Sequence, residues 1–197
     1  MPGRPPKIVW IAASTVGLGF LLVLGAVVFL VGKAWFGLPV WAQAPDQPIA
    51  FPHTIHAGTE EGQLGLDCTF CHRNVTVGAA AVIPSVQQCM FCHQQVKGQA
   101  EPAISEIAKL RDAAAAGQPI DWVRVHRLPD HVEFVHEAHI RFFTQQESIT
   151  PSQVCATCHG DVATMAKVKQ VRSLKMGDCV NCHRKYSAPT ECATCHY

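Results

Sequence analysis

Cys155-Ala-Thr-Cys158-His159 is one of five copies of Cys-x-x-Cys-His in this 197-residue chain, and the five together use all ten of its cysteines. The others are Cys68-Thr-Phe-Cys71-His72, Cys89-Met-Phe-Cys92-His93, Cys179-Val-Asn-Cys182-His183 and Cys192-Ala-Thr-Cys195-His196. Two cysteines three apart reach the two vinyl groups of one porphyrin, and the adjacent histidine then sits under its iron. Zinc ribbons and disulfide frameworks also use paired Cys-x-x-Cys units, but neither requires a histidine directly after the second cysteine. With 11 His in 197 residues, five such histidines in five arise by chance on the order of once in a million. The motifs read as attachment sites for five c-type haems, with His72, His93, His159, His183 and His196 as proximal iron ligands.

Composition agrees with that reading. Aromatic residues make up only 8% of the chain, and outside one N-terminal apolar segment it is rich in Gly, Pro and polar residues. Such a polypeptide would struggle to bury a sufficient apolar core, whereas five large rigid porphyrins supply one that the protein need only wrap. The expected fold is mostly irregular, with short α-helices around five haems. The formal charge of +1 counts no cofactor; about ten haem propionates would make the surface acidic unless they are paired. No basic cluster supports nucleic-acid binding.

From Ile8 to Gly32 the chain carries no charged residue, and Lys7 and Lys33 bound the run. That length spans a bilayer, whereas a secretory signal has an apolar core of only about 7 to 15 residues. Ala42-Gln43-Ala44 looks like a signal-peptidase site, but it lies beyond Lys33, so a retained single-pass anchor is expected. Arg4, Lys7 and the α-amino group before the helix, against Lys33 just after it, place the N-terminus in the cytoplasm. Attachment of c-type haem takes place outside the cytoplasmic membrane, so the haem region is expected on its periplasmic face. Trp10, Trp35 and Trp41 suit the interfacial belts, and Ala13, Thr15, Gly17 and Gly19 offer a face for packing on another helix.

The anchor is assigned to residues 1–33 and a Pro-rich linker to 34–50. The remainder is internally duplicated. Phe51-Pro-His53-Thr-Ile-His56 precedes the motifs at Cys68 and Cys89, while Phe134-Val-His136-Glu-Ala-His139 precedes those at Cys155 and Cys179; a fifth motif follows at Cys192. This gives a two-haem module over 51–101 and a three-haem module over 131–197. Residues 102–130 connect them, beginning with a helix from Pro102 to Ala116 that carries Ile104, Ile107 and Leu110 at helical spacing, with Gly117 beyond its end.

An electron-transfer haem needs a second ligand opposite the motif histidine, usually His or Met. Six histidines remain for that role: His53, His56, His126, His131, His136 and His139. Residues three apart on a helical turn point the same way, so each His-x-x-His pair can serve two adjacent haems. At these residues the chain resembles the class III cytochromes c, in which a Phe-x-His-x-x-His element supplies distal ligands. The second half resembles the trihaem members, with Met176 of Leu174-Lys-Met176-Gly-Asp-Cys179 standing where they carry the ligand of the last haem.

A resemblance covering nearly the whole chain rests on the anchor, Phe51-Pro-His53-x-x-His56-Ala-Gly58, Ile83-Pro84 before Cys89-Met-x-Cys92-His93, Trp122-Val-Arg-Val-His126-x-Leu-Pro-Asp130, and Leu174-x-Met176-Gly-x-Cys179. Together these look like the pentahaem cytochrome subunit of alternative complex III. That resemblance implies a redox subunit without an activity of its own, relaying electrons from an iron–sulfur partner to a monohaem cytochrome or another soluble carrier, beside polytopic membrane subunits in a quinol-oxidising complex. His131 stands where that family carries an aromatic residue. The implied distal ligands are His53 and His56 for the first two haems and His136 and His139 for the third and fourth. The fifth is Met176 or His126, with Met176 preferred. Two other classes compete: a multihaem nitrite or hydroxylamine reductase, and a stand-alone membrane quinol dehydrogenase. The first needs an iron with an open position, although ligand candidates outnumber haems; the second is opposed by the long duplicated layout and by the Trp122 to Asp130 segment.

Overall fold

A computed structural model of the chain describes residues 6–36 and 44–197. Arg4, Trp41 and the Ala42-Gln43 pair of the signal-peptidase-like stretch lie outside the described residues. Helix α1 runs Lys7–Phe36, 30 residues, longer than the expected 8–32 because no Gly or Pro breaks Lys33-Ala-Trp-Phe36. At 1.5 Å per residue it measures about 45 Å. Apolar side chains project from all around it, among them Leu21, Leu22, Phe29 and Val31, and it is long and apolar enough to span a membrane. A helix apolar on every side is at home in lipid or in a large core.

The chain divides into two compact units, Met1–Val40 with Ser173–Thr190, and Trp41–Arg172 with Glu191–Tyr197. In the first, α1 packs on a helix, Met176–Lys185, that carries the fourth Cys-x-x-Cys-His. Gly177 near its start is buried. A Cβ there would lie 2.3 Å from both Cδ1 and Nε1 of Trp35 and 2.8 Å from its carbonyl oxygen, so only glycine lets the end of α1 approach this closely.

The second unit is built from short helices: α2 (His53–Ala57), α3 (Cys68–Cys71), α4 (Val86–His93), α5 (Ala103–Ala115), α6 (His136–Glu147) and α7 (Pro151–His159). With the Met176–Lys185 helix as α8, the last is α9 (Cys192–Cys195). Two 3-10 turns, Arg73–Thr76 and Val162–Thr164, complete the set. Among the described residues there is no strand, only an isolated antiparallel bridge between Val132 and His196.

The motif helices are started by local capping. Asp67 accepts the Thr69 N–H at 2.8 Å ahead of α3, and Ser85 accepts the Gln88 N–H ahead of α4. Thr150 and Gln153 form a capping box before α7, with Pro151 in the first turn where its missing N–H costs nothing. Helix α4 packs on α5, and α6 packs on α7 and on the Arg73–Thr76 turn. Buried apolar side chains among the described residues number only six, Val75, Val86, Leu110, Ile140, Phe143 and Val154, and none is completely enclosed. That is a thin core for a unit of this size.

Candidate functional site

Both Phe-x-His-x-x-His elements fold into the same local object. In the first, the Phe51 ring stands edge-on to His53 at 4.8 Å and 87° and lies over His56 at 4.4 Å and 30°. In the second, Phe134 meets His136 at 4.9 Å and 90° and His139 at 4.4 Å and 26°. One aromatic ring thereby sets the orientation of two imidazoles, a short-range result of the i, i+2, i+5 spacing.

Most of these imidazoles are held at Nδ1. His56 Nδ1–H donates to the Pro52 carbonyl at 3.0 Å, His139 to Val135 at 2.8 Å and His136 to Ala79 at 2.7 Å. The motif histidines are held alike: His72 donates to Val82 at 2.7 Å, His93 to Val96 at 3.1 Å, His183 to Pro189 at 2.5 Å and His196 to His131 at 3.2 Å. A carbonyl can only accept, so each Nδ1 carries the proton and each Nε2 presents a lone pair. Metal-ligating histidines share this arrangement. Val82 adopts φ of +29°, a region costly for a β-branched residue, in the turn that aims its carbonyl at His72.

The remaining motif histidine differs. His159 Nδ1 lies 3.3 Å from His126 Nε2, with the two rings at 80° and centroids 4.3 Å apart. Burial, then the neighbouring His126, His136 and His72, pushes His159 down to about 4. Burial, then His72 and His56, takes His53 to about 4 as well; burial also lowers His56 and His126. At neutral pH these imidazoles are therefore uncharged, the form that ligates a metal.

The rings also meet in pairs. His56 and His93 have centroids 6.2 Å apart, and His136 and His159 are 6.4 Å apart with planes within 8°. An iron bonded at about 2 Å to the Nε2 of two facing imidazoles puts their centroids about 6.3 Å apart, so each pair has the spacing of two ligands on one iron. His53 lies close enough to His72 for that neighbour to disfavour its protonation. His126 is joined to His159 rather than facing it across such a gap. Met176 opens α8 with its residue 48% exposed, and His131 stacks on His196 at 5.5 Å and 21°.

Three motifs adjoin in the second unit. The Cys155 thiol hydrogen-bonds that of Cys68, pulling Cys68 down to about 6 and pushing Cys155 up, while Ser152 donates to Asp67 at 2.7 Å across the same junction of α3 and α7. On its other side α3 meets α4, where Gln88 donates to the Phe70 carbonyl at 2.6 Å and Cys89 feels Cys71. No disulfide joins the ten motif cysteines. Among the described residues no three His, Cys, Asp or Glu groups converge as a metal cluster would need. The donor set fits haem, with cysteines for the vinyl carbons and neutral Nε2 atoms for the iron.

No protein-family model matches the chain. The chain is 27% identical over 190 residues, covering 88% of it and 87% of the other protein, to the menaquinone reductase multiheme cytochrome c subunit of Nitratidesulfovibrio vulgaris strain Hildenborough.

Proposed function

We propose that this chain is a membrane-anchored electron-transfer subunit that binds five c-type haems, one at each Cys-x-x-Cys-His. The observation that carries this is the pair of facing imidazole couples, His56 with His93 and His136 with His159, at 6.2 and 6.4 Å. Cys68 and Cys71, Cys89 and Cys92, Cys155 and Cys158, Cys179 and Cys182, and Cys192 and Cys195 hold the five porphyrins. His72, His93, His159, His183 and His196 are proximal ligands; His53, His56, His136 and His139 are distal ligands of the first four haems, and Met176 is that of the fifth. When bound, haem would supply reversible one-electron chemistry. The chain contributes imidazole donors held by backbone carbonyls at Nδ1, and the adjacency of the first motif to the second and third gives electrons a short path.

The anchor crosses the cytoplasmic membrane once, N-terminus inside, and holds the haem region on the periplasmic face beside iron–sulfur, polytopic and monohaem cytochrome partners. In the resemblance to alternative complex III, electrons leave quinol and reach a soluble carrier; the name of the relative from N. vulgaris supports the opposite direction, towards menaquinone, through the same relay. The chain has no catalytic residues of its own in either direction. Purifying it from native membranes in mild detergent tests this. Partner subunits should copurify, and a menaquinol analogue should reduce the haems only while those partners are present. Reduction by the isolated chain at the same rate, or turnover of nitrite or hydroxylamine, would contradict it.

A further inference from the structure

The segment bearing His126 is clamped at both ends. Gln47 pins Val123 twice, donating Nε2–H to its carbonyl and accepting its N–H, each at 2.9 Å. At the other end Tyr197 donates its hydroxyl to the Asp130 carbonyl at 2.9 Å, and Val132 bridges to His196. Between these clamps His126 presents Nε2 to His159 Nδ1 at 3.3 Å. The Nδ1 atoms of His72, His93, His183 and His196 face backbone carbonyls, whereas that of His159 faces a side chain.

We propose that His126 is a positioning residue for the third haem site: its Nε2 accepts the Nδ1–H of His159, fixes that ring opposite His136, and lowers the potential of the iron bound there. This rests on the proposed role of His159 as an axial ligand. His159 Nε2 must keep its lone pair for iron, so Nδ1 carries the proton and His126 must accept. An imidazole nitrogen is a more basic acceptor than an amide carbonyl. It draws the proton further from His159, gives that ring more imidazolate character, and favours the oxidised iron. With Nε2 engaged in this way, His126 does not serve as a distal ligand through that atom.

The test uses the full-length, haem-loaded protein carrying His126→Leu and, separately, His126→Gln, whose amide oxygen restores an acceptor. Spectropotentiometric titration of His126→Leu should move one component to higher potential and leave the others in place, with every haem low-spin; His126→Gln should return it most of the way. Two results would overturn the inference: no component moving in either variant, or one haem turning high-spin in His126→Leu, which would make His126 a ligand. Should the Leu variant fail to accumulate, the Gln variant alone decides, because the weaker amide acceptor predicts a smaller upward shift of the same component. Intact mass separates this from the proposed function: a full haem load with unmoved potentials fails only the inference, whereas missing haem in the unsubstituted protein fails the function itself.

Discussion

The turns at Phe51 and Phe134 are near copies: their phenylalanine-to-histidine distances agree within 0.1 Å, at 4.8 and 4.9 Å for the edge contacts and 4.4 Å for both stacked ones. The motif histidines that follow them are not copies. His72 leans on the carbonyl of Val82, ten residues along the chain, whereas His159 leans on an imidazole supplied from 33 residues away. Where six consecutive residues contain every group involved, the duplication is kept. Where the partner comes from a distant loop, the two halves diverge.

The largest expected effect comes from breaking each half at its proposed distal ligand. His136→Ala and His53→Ala should each convert one haem from low-spin to high-spin, visible as a new high-spin signal in the electron paramagnetic resonance spectrum of the oxidised protein. Equal yields from the two variants would show that the turns are functionally as well as geometrically equivalent. In the intact protein, the near-parallel planes of His136 and His159, at 8°, and the tilted planes of His56 and His93, at 50°, should give two distinct low-spin signals.

Phe51→Ala and Phe134→Ala should each cost about 2 kcal/mol in thermal or denaturant unfolding, below the 3–5 kcal/mol of a fully buried ring because both phenylalanines are only half-buried. Costs that differ by more than twofold would break the equivalence. Gly177→Val, in the unit where α1 meets α8, should cost about 1–3 kcal/mol through overpacking against Trp35 and alter its fluorescence, leaving the turns untouched.

The smallest effect sharpens the comparison at the first turn, which α5 moors from one side: Glu106 accepts the Ala50 N–H at 2.8 Å and pairs with Lys109 at 2.7 Å. Lys109, then the Ala50 amide, lowers the Glu106 pKa. A depressed carboxyl contributes stability above its ordinary value of 4.5 and loses it as pH falls through the lowered one. Glu106→Gln should therefore flatten the acid limb of the stability curve slightly, by less than about 1 kcal/mol for a pair whose lysine is half exposed.

What could be read from residues alone followed the range of the interactions. The helix anticipated from Pro102 to Ala116 is found at Ala103–Ala115, because its apolar spacing and flanking Pro and Gly are local signals. The same spacing did not say which side chains would be buried: Leu110 is, while Ile104 remains 44% exposed. The grouping of residues 173–190 with the anchor in one compact unit left no pattern, since it depends on Gly177 meeting Trp35. His126 was legible as a candidate ligand from the excess of histidines over motifs. Its contact with the proton-bearing nitrogen of a motif histidine was not, because that depends on Gln47 and Tyr197 holding its loop.

Mass measurement of the intact, denatured protein purified from membranes tests the central claim most directly. The account predicts a mass equal to the polypeptide plus five covalently bound haems, with no cysteine open to alkylation. Fewer than five haems, alkylatable thiols at any of the five motifs, or bound zinc in their place would contradict it.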